Sequence, residues 1–189
     1  MNQIEELTRK IQRDLYSKNN PGSVILSLRE KWLEIFTQSY NVNIDALMLG
    51  FMLADFKLQE SIDLRKQTDH IRMALDYANQ AFERYSEIPK DLQEIVIEII
   101  ATHHGGSQNY TESKLFKNAV AMSMLEPKGW IHQFSLIYDG KDDDSFQFAI
   151  KKIDEKFEEM FLLVDLDENT INEANLLKEK YAWFRKRLL

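Results

Sequence analysis

The run Ile99-Ile100-Ala101-Thr102-His103-His104-Gly105-Gly106 sets two imidazoles at the end of an apolar segment, and His70 lies upstream within the same stretch, Asp69 to Leu125. A further carboxylate, Asp55, closes the apolar stretch Ala46 to Ala54, where little else is charged. Imidazole and carboxylate together suit a divalent metal ion, and three such ligands with one open position make a catalytic zinc site that activates water. A histidine left outside the coordination sphere would handle the proton. Each residue also has a structural reading. Asp55 could be a helix-terminal carboxylate bonded to nearby backbone, and His70 a polar residue at a helix start, where its neutral form is preferred. His103 and His104 could end a helix whose dipole favours them, with Gly105 as the left-handed cap.

The other polar features point less clearly to chemistry. His132 reads as a surface or interface histidine, and Trp32, Trp130 and Trp183 as core or partly buried anchors. The loop Gly105 to Tyr110 could hold an anion on its backbone amides, but no phosphate-loop lysine accompanies it and it reads as a connector. Asp139 to Asp144 lacks the ligand spacing of an EF-hand and reads as a solvated loop.

The elements that must carry these residues are helices. Ile4, Leu7, Ile11 and Leu15 recur at helical spacing, so residues 3 to 17 form an amphipathic helix that Asn19-Asn20-Pro21-Gly22 ends. Ser23 caps a second helix reaching Tyr40, with Leu28, Trp32, Ile35 and Phe36 on one face. Residues 44 to 56 are apolar almost all round and belong in the core. Residues 57 to 68 form a loop with room for one helical turn. Thr68 or Asp69 caps a helix through Tyr85, on which His70, Ala74 and Ala78 share a face that lets a neighbour approach closely. Pro89 opens the helix that ends at the histidine pair. Its β-branched residues allow a strand, but the 3.6-residue period of Leu92, Ile95, Val96, Ile99 and Ile100 decides for helix. Further helices cover 111 to 125, broken by Pro127 and Gly129, then 130 to 138, where a short strand is the alternative, 145 to 163 and 170 to 186. Thr170 and Glu173 have capping-box spacing. The reading is all-α, a single domain built as one bundle of about eight helices.

Three of these segments together resemble the HD superfamily, the all-helical phosphohydrolase and phosphodiesterase fold. The segments are Ala46-Leu47-Met48-Leu49-Gly50-Phe51-Met52-Leu53-Ala54-Asp55, similar to the helix that ends in His-Asp; His70 with Ala74 and Ala78; and Glu94 to His104. The resemblance covers about residues 23 to 125, leaving 126 to 189 as a C-terminal helical extension. It implies a divalent cation held by an early histidine, the His-Asp pair and a late aspartate, with further histidines from the two later helices. This chain departs from that set. No histidine precedes His70, Ala54 stands where the pair's histidine belongs, and the helix 114 to 125 has no aspartate. Asp55 alone survives of the four, though the resemblance implies that Asp55, His70 and one of His103 and His104 face a common cavity.

Two functions follow as expectations. One is a degenerate HD-like protein acting as a ligand-binding, regulatory or interaction module for a small molecule or a protein. The other is a metal-dependent phosphohydrolase acting on a nucleotide or small phosphoester through a rearranged site of Asp55, His70, His103 and His104. The formal net charge of −7 argues against nucleic acid as partner. Without cysteine there is neither a disulfide framework nor a thiolate site, and with no apolar run near the roughly 20 residues of a membrane span and no basic, apolar leader at Met1, a cytoplasmic protein is expected. The C-terminal helix, with Leu176, Leu177, Tyr181, Phe184 and Leu188, offers an apolar face for self-association or for its own core.

Overall fold

The computed structural model describes residues 3–16, 23–58, 60, 69–137, 143–158 and 167–188, and among them every regular element is a helix. In chain order these are α1 (Gln3–Tyr16), α2 (Ser23–Ser39), α3 (Ile44–Ala54), α4 (His70–Arg84), α5 (Lys90–Thr102), α6 (Thr111–Leu125), α7 (Pro127–Ile137), α8 (Asp143–Glu158) and α9 (Glu168–Leu188). The all-helical expectation holds, with nine helices among the described residues. None of them is long and apolar enough to cross a membrane. The helix stop expected at 19 to 22, residues 139 to 142 of the expected acidic loop, most of the loop at 57 to 68 and the helix end expected at 159 to 163 lie outside the described residues, whereas Asp143 and Asp144, expected in the acidic loop, open α8 instead.

The chain divides into two compact units, Met1–Pro21 with Tyr40–Lys117, and Gly22–Ser39 with Asn118–Leu189. The first unit is centred on α3. Its residues from Ala46 to Ala54 are buried except Met48, so the helix is surrounded on nearly all sides by protein. The Asn43 side chain accepts a hydrogen bond from the Ala46 N–H at 3.0 Å and caps it, while the Asn43 N–H donates to Glu112 Oε1 at 2.7 Å. Helix α5 lies along α3, and α1 packs there with Leu7 and Ile11 fully buried. The approach of α3 to α5 is set by Gly50: a β-carbon there would fall 2.6 Å from Ile99 Cδ1 and 3.0 Å from its Cβ. Ile99 is β-branched and buried, so it cannot rotate out of the way. On α4, His70, Ala74, Ala78 and Phe82 form the buried stripe.

The second unit gathers aromatics. Trp130 of α7, Ile153 of α8 and Tyr181 of α9 are buried together, with Phe134 and Phe184 packed against them. The Trp130 and Phe184 rings lie 4.1 Å apart, and Trp32, Leu33 and Phe36 bury one face of α2. The helix expected to break at Pro127 and Gly129 does end at Leu125, but the next one starts at Pro127 and not at Trp130. Pro127 occupies the first helical position of α7, where a missing N–H costs nothing. A β-carbon at Gly129 would lie 1.8 Å from the Ser123 carbonyl oxygen, so the turn from α6 into α7 admits no side chain there.

Three caps differ from expectation. Asp167, not Thr170, caps α9: its carboxylate accepts from the Thr170 N–H at 3.0 Å and from the Thr170 hydroxyl at 2.7 Å, and the helix starts at Glu168. Hydrogen bonds from Thr170 hold the Asp167 carboxyl below its ordinary value of 3.8. After α5 the left-handed residue is Gly106, at φ 95°, and not Gly105. Asp69 precedes α4 but gives it no side-chain cap; its carboxylate takes Arg72 at 3.2 Å instead.

Candidate metal centre

Three helix ends of the first unit deliver the four polar residues. Asp55 is the C-terminal cap of α3, where the apolar helix stops and a carboxylate first becomes tolerable. His70 is the first residue of α4, and His103 follows the last residue of α5 with its backbone still near helical at φ −64° and ψ −21°. His104 comes next, before the glycine turn. All four expected residues are thus brought together: one ligand atom from each of Asp55, His70, His103 and His104 lies within 4.8 Å of the others.

The individual distances are specific. Asp55 Oδ1 is 3.6 Å from His103 Nε2 and 4.0 Å from His70 Nε2, and the Nε2 atoms of His70 and His104 are 3.2 Å apart. Ligands about 2.0 to 2.1 Å from a tetrahedral zinc sit roughly 3.3 Å from one another, so the cluster is spaced as a coordination sphere is. His70 and His103 are buried, Asp55 is mostly covered, and His104 is exposed, which leaves one side of the group open to solvent.

The tautomer of His103 follows from its surroundings. Its Nδ1 lies 2.8 Å from the Ile100 carbonyl oxygen, which can only accept, so Nδ1 carries a proton. In the neutral ring Nε2 is then a lone pair, directed at a carboxylate oxygen that also only accepts. Nε2 is buried and makes no hydrogen bond. Two acceptors facing each other at 3.6 Å repel unless a proton or a cation lies between them. A divalent ion is what this donor set fits: one carboxylate supplies charge, the imidazoles supply nitrogen, and the carbonyl behind His103 orients the ring as outer-shell partners of metal-bound histidines do. Ala54, where the HD resemblance would place another imidazole, is buried and contributes no donor.

Sequence reasoning missed Glu98. One turn before the histidines, its carboxylate accepts from the Asn109 N–H and Asn109 Nδ2, each at 2.8 Å, and from the Tyr110 N–H at 2.9 Å. Burial pushes this carboxyl up, but the hydrogen bonds from Tyr110 and Asn109 outweigh it and hold it below its ordinary 4.5. Two amides of the 105–110 loop, those of Asn109 and Tyr110, are thus turned to Glu98, and the loop is clasped to the helix that bears His103 and His104. The Thr102 hydroxyl donates to the Glu98 carbonyl at 2.8 Å, and Gln108 Nε2 reaches the Thr102 carbonyl at 3.3 Å. Glu98 stands outside the apolar stripe of α5, and nothing local links it to residues eleven and twelve positions on.

Of the remaining expectations, Trp32 and Trp130 are buried anchors, whereas Trp183 is 60% exposed. His132, expected at the surface or an interface, is half-buried. Comparison of the chain with protein-family models, with curated proteins and with solved structures found no match to any of them.

Proposed function

We propose that the protein binds one divalent transition-metal ion through Asp55, His70, His103 and His104 and uses it to hydrolyse a nucleotide or other small phosphoester. The observation that carries this reading is the convergence of four ligand atoms within 4.8 Å from the ends of three helices, with His103 Nε2 buried, unbonded and aimed at Asp55. The resemblance of Ala46–Asp55, His70 to Ala78 and Glu94 to His104 to the HD superfamily supplies the reaction class, as a likeness of pattern.

Asp55 supplies the negative charge of the site, and His103, fixed by the Ile100 carbonyl, supplies a rigid nitrogen. His70 stands beside both. His104, on the open side, would complete the ligand set or carry a proton between water and a leaving group. A bound ion would lower the pKa of its water and neutralise charge on phosphorus-bound oxygen.

The test is hydrolysis of bis(p-nitrophenyl) phosphate and p-nitrophenyl phosphate by protein supplied with manganese, zinc or iron. Turnover that is lost in both Asp55→Ala and His70→Ala is expected. Turnover unaffected by either substitution would refute the reading. A second reading, a ligand-binding or regulatory module without turnover, is favoured by the absence of the early histidine, of the pair's histidine at Ala54 and of the late aspartate. It is the better account if a metal binds and no phosphoester is cleaved.

A further inference from the structure

Helix α9 has two faces, and among the described residues one is buried and the other exposed. Thr170, Ala174, Leu177 and Tyr181 are buried, and Phe184 continues their line against Trp130. On the other side Glu173, Leu176, Lys180, Trp183 and Arg187 are all exposed, at steps of three, four, three and four residues. That alternation is the heptad spacing by which one helix lies along another. Leu176 is 49% exposed and Trp183 60%, the latter the most exposed large apolar residue of the described chain. They do not stand alone: with Pro127, Trp130 and Phe184 they line an apolar groove of about 470 Å³, whose lining Glu179 and Lys180 complete. Trp183 is also held in place, since the Arg187 guanidinium stacks 3.7 Å from its ring. A fixed aromatic costs little conformational entropy on docking and is the commonest kind of binding hot spot.

The charge order along α9 selects the occupant. Its beginning is acidic, with Asp167 as cap followed by Glu168 and Glu173, and its last turn is basic, with Arg185, Lys186 and Arg187. A helix of that polarity complements itself when reversed. Placing a two-fold axis between Glu179 and Lys180 brings Glu179 opposite the other copy's Lys180, Leu176 opposite its Trp183 and Glu173 opposite its Lys186. One register thus matches both apolar residues and the charges around them, and it is the isologous arrangement that closes at two copies.

We infer that the exposed face of α9 and the groove beside Trp130 form a homodimer interface, in which antiparallel α9 helices pair and each Trp183 enters the groove of the other copy. With one tryptophan and one leucine from each side the association is modest, about micromolar.

Sedimentation equilibrium on the full chain tests this, with circular dichroism as a check that each variant keeps its helices. Wild type is expected to dimerise and Trp183→Ala to be monomeric at the same concentrations. The charged pair tests the register. Lys180→Glu alone sets glutamate opposite glutamate at two symmetric places, and Glu179→Lys alone sets lysine opposite lysine. Each should weaken the dimer about tenfold, and the double variant Glu179→Lys/Lys180→Glu should restore it. Mixing the two single variants should yield a heterodimer tighter than either homodimer. Monomeric wild type at about 0.1 mM would overturn the inference and leave the groove to a helix of another protein or to a small aromatic ligand. A dimer indifferent to Trp183→Ala and to both charge reversals would overturn it equally, by placing the interface elsewhere.

Discussion

Asp55 and Asp154 are both carboxylates beside aromatic rings, one in each compact unit, and their surroundings differ in kind. Asp154, with its side chain 33% exposed, accepts from the Tyr181 hydroxyl at 3.0 Å and pairs with Arg185 at 3.0 Å. Burial and that hydrogen bond push the Tyr181 hydroxyl far up, so it stays a donor throughout the ordinary pH range. Every partner there is of the right sign. Asp55 is more covered, at 13%, and is met by a nitrogen that the Ile100 carbonyl has made an acceptor. A proton on that nitrogen or a bound cation would complement the arrangement, because buried polar groups otherwise find complementary partners. The comparison separates a carboxylate that holds its unit together from one that the proposed site assigns to metal binding.

The difference makes its sharpest prediction for the pair of amide substitutions. Asp55→Asn is expected to weaken metal binding by about a hundredfold or more, since the only charged ligand is lost, while leaving thermal stability of the metal-free protein unchanged or raised. Asp154→Asn is expected to do the reverse: it lowers stability by about 1 to 2 kcal/mol and leaves metal affinity alone. Titration calorimetry with zinc and thermal melts on both variants check the two halves. Equal losses of stability would erase the distinction.

Packing behind the site gives the next effect. Gly50→Ala should destabilise the protein by about 1 to 3 kcal/mol, because Ile99 cannot yield, and should lower metal affinity as well if spreading α3 from α5 carries Asp55 away from His103. Denaturant unfolding and the same zinc titration measure both. A stability loss without any change in affinity would show that the ligand set tolerates movement of α3.

The smallest effect concerns the clasp. The Glu98 carboxyl is lower in the folded protein than its ordinary 4.5, so its contribution to stability is complete above that value and is lost as pH falls through the folded value. Glu98→Gln should flatten this part of the acid limb between about pH 4.5 and the folded value, seen in melts taken across that range. An unchanged acid limb would mean that the loop is held otherwise.

Much of this arrangement was legible in the residues. The all-round apolar character of Ala46 to Ala54 announced a central helix, and the period of Leu92 to Ile100 brought the histidines to a helix end. The four ligand candidates were also legible, because Asp55, His70, His103 and His104 each stand at a boundary between apolar periodicity and polar loop. What could not be read depends on contact across the chain. The carbonyl that fixes His103 is ordinary backbone, Glu98 looks like any solvated glutamate, and Gly50 is needed only because Ile99 lies against it. The exposure of Trp183 was hidden for the same reason. A tryptophan one position from Phe184 looks buried until the helix is seen to turn its other face inward.

Metal content per chain tests the central claim most directly, by elemental analysis of protein purified without an affinity metal or chelator, then incubated with zinc or manganese and desalted, alongside His103→Ala. The account predicts close to one equivalent in the wild type and almost none in the variant. A wild-type chain that retains no metal, or a variant that retains as much, would contradict it and return the four residues to a purely structural role.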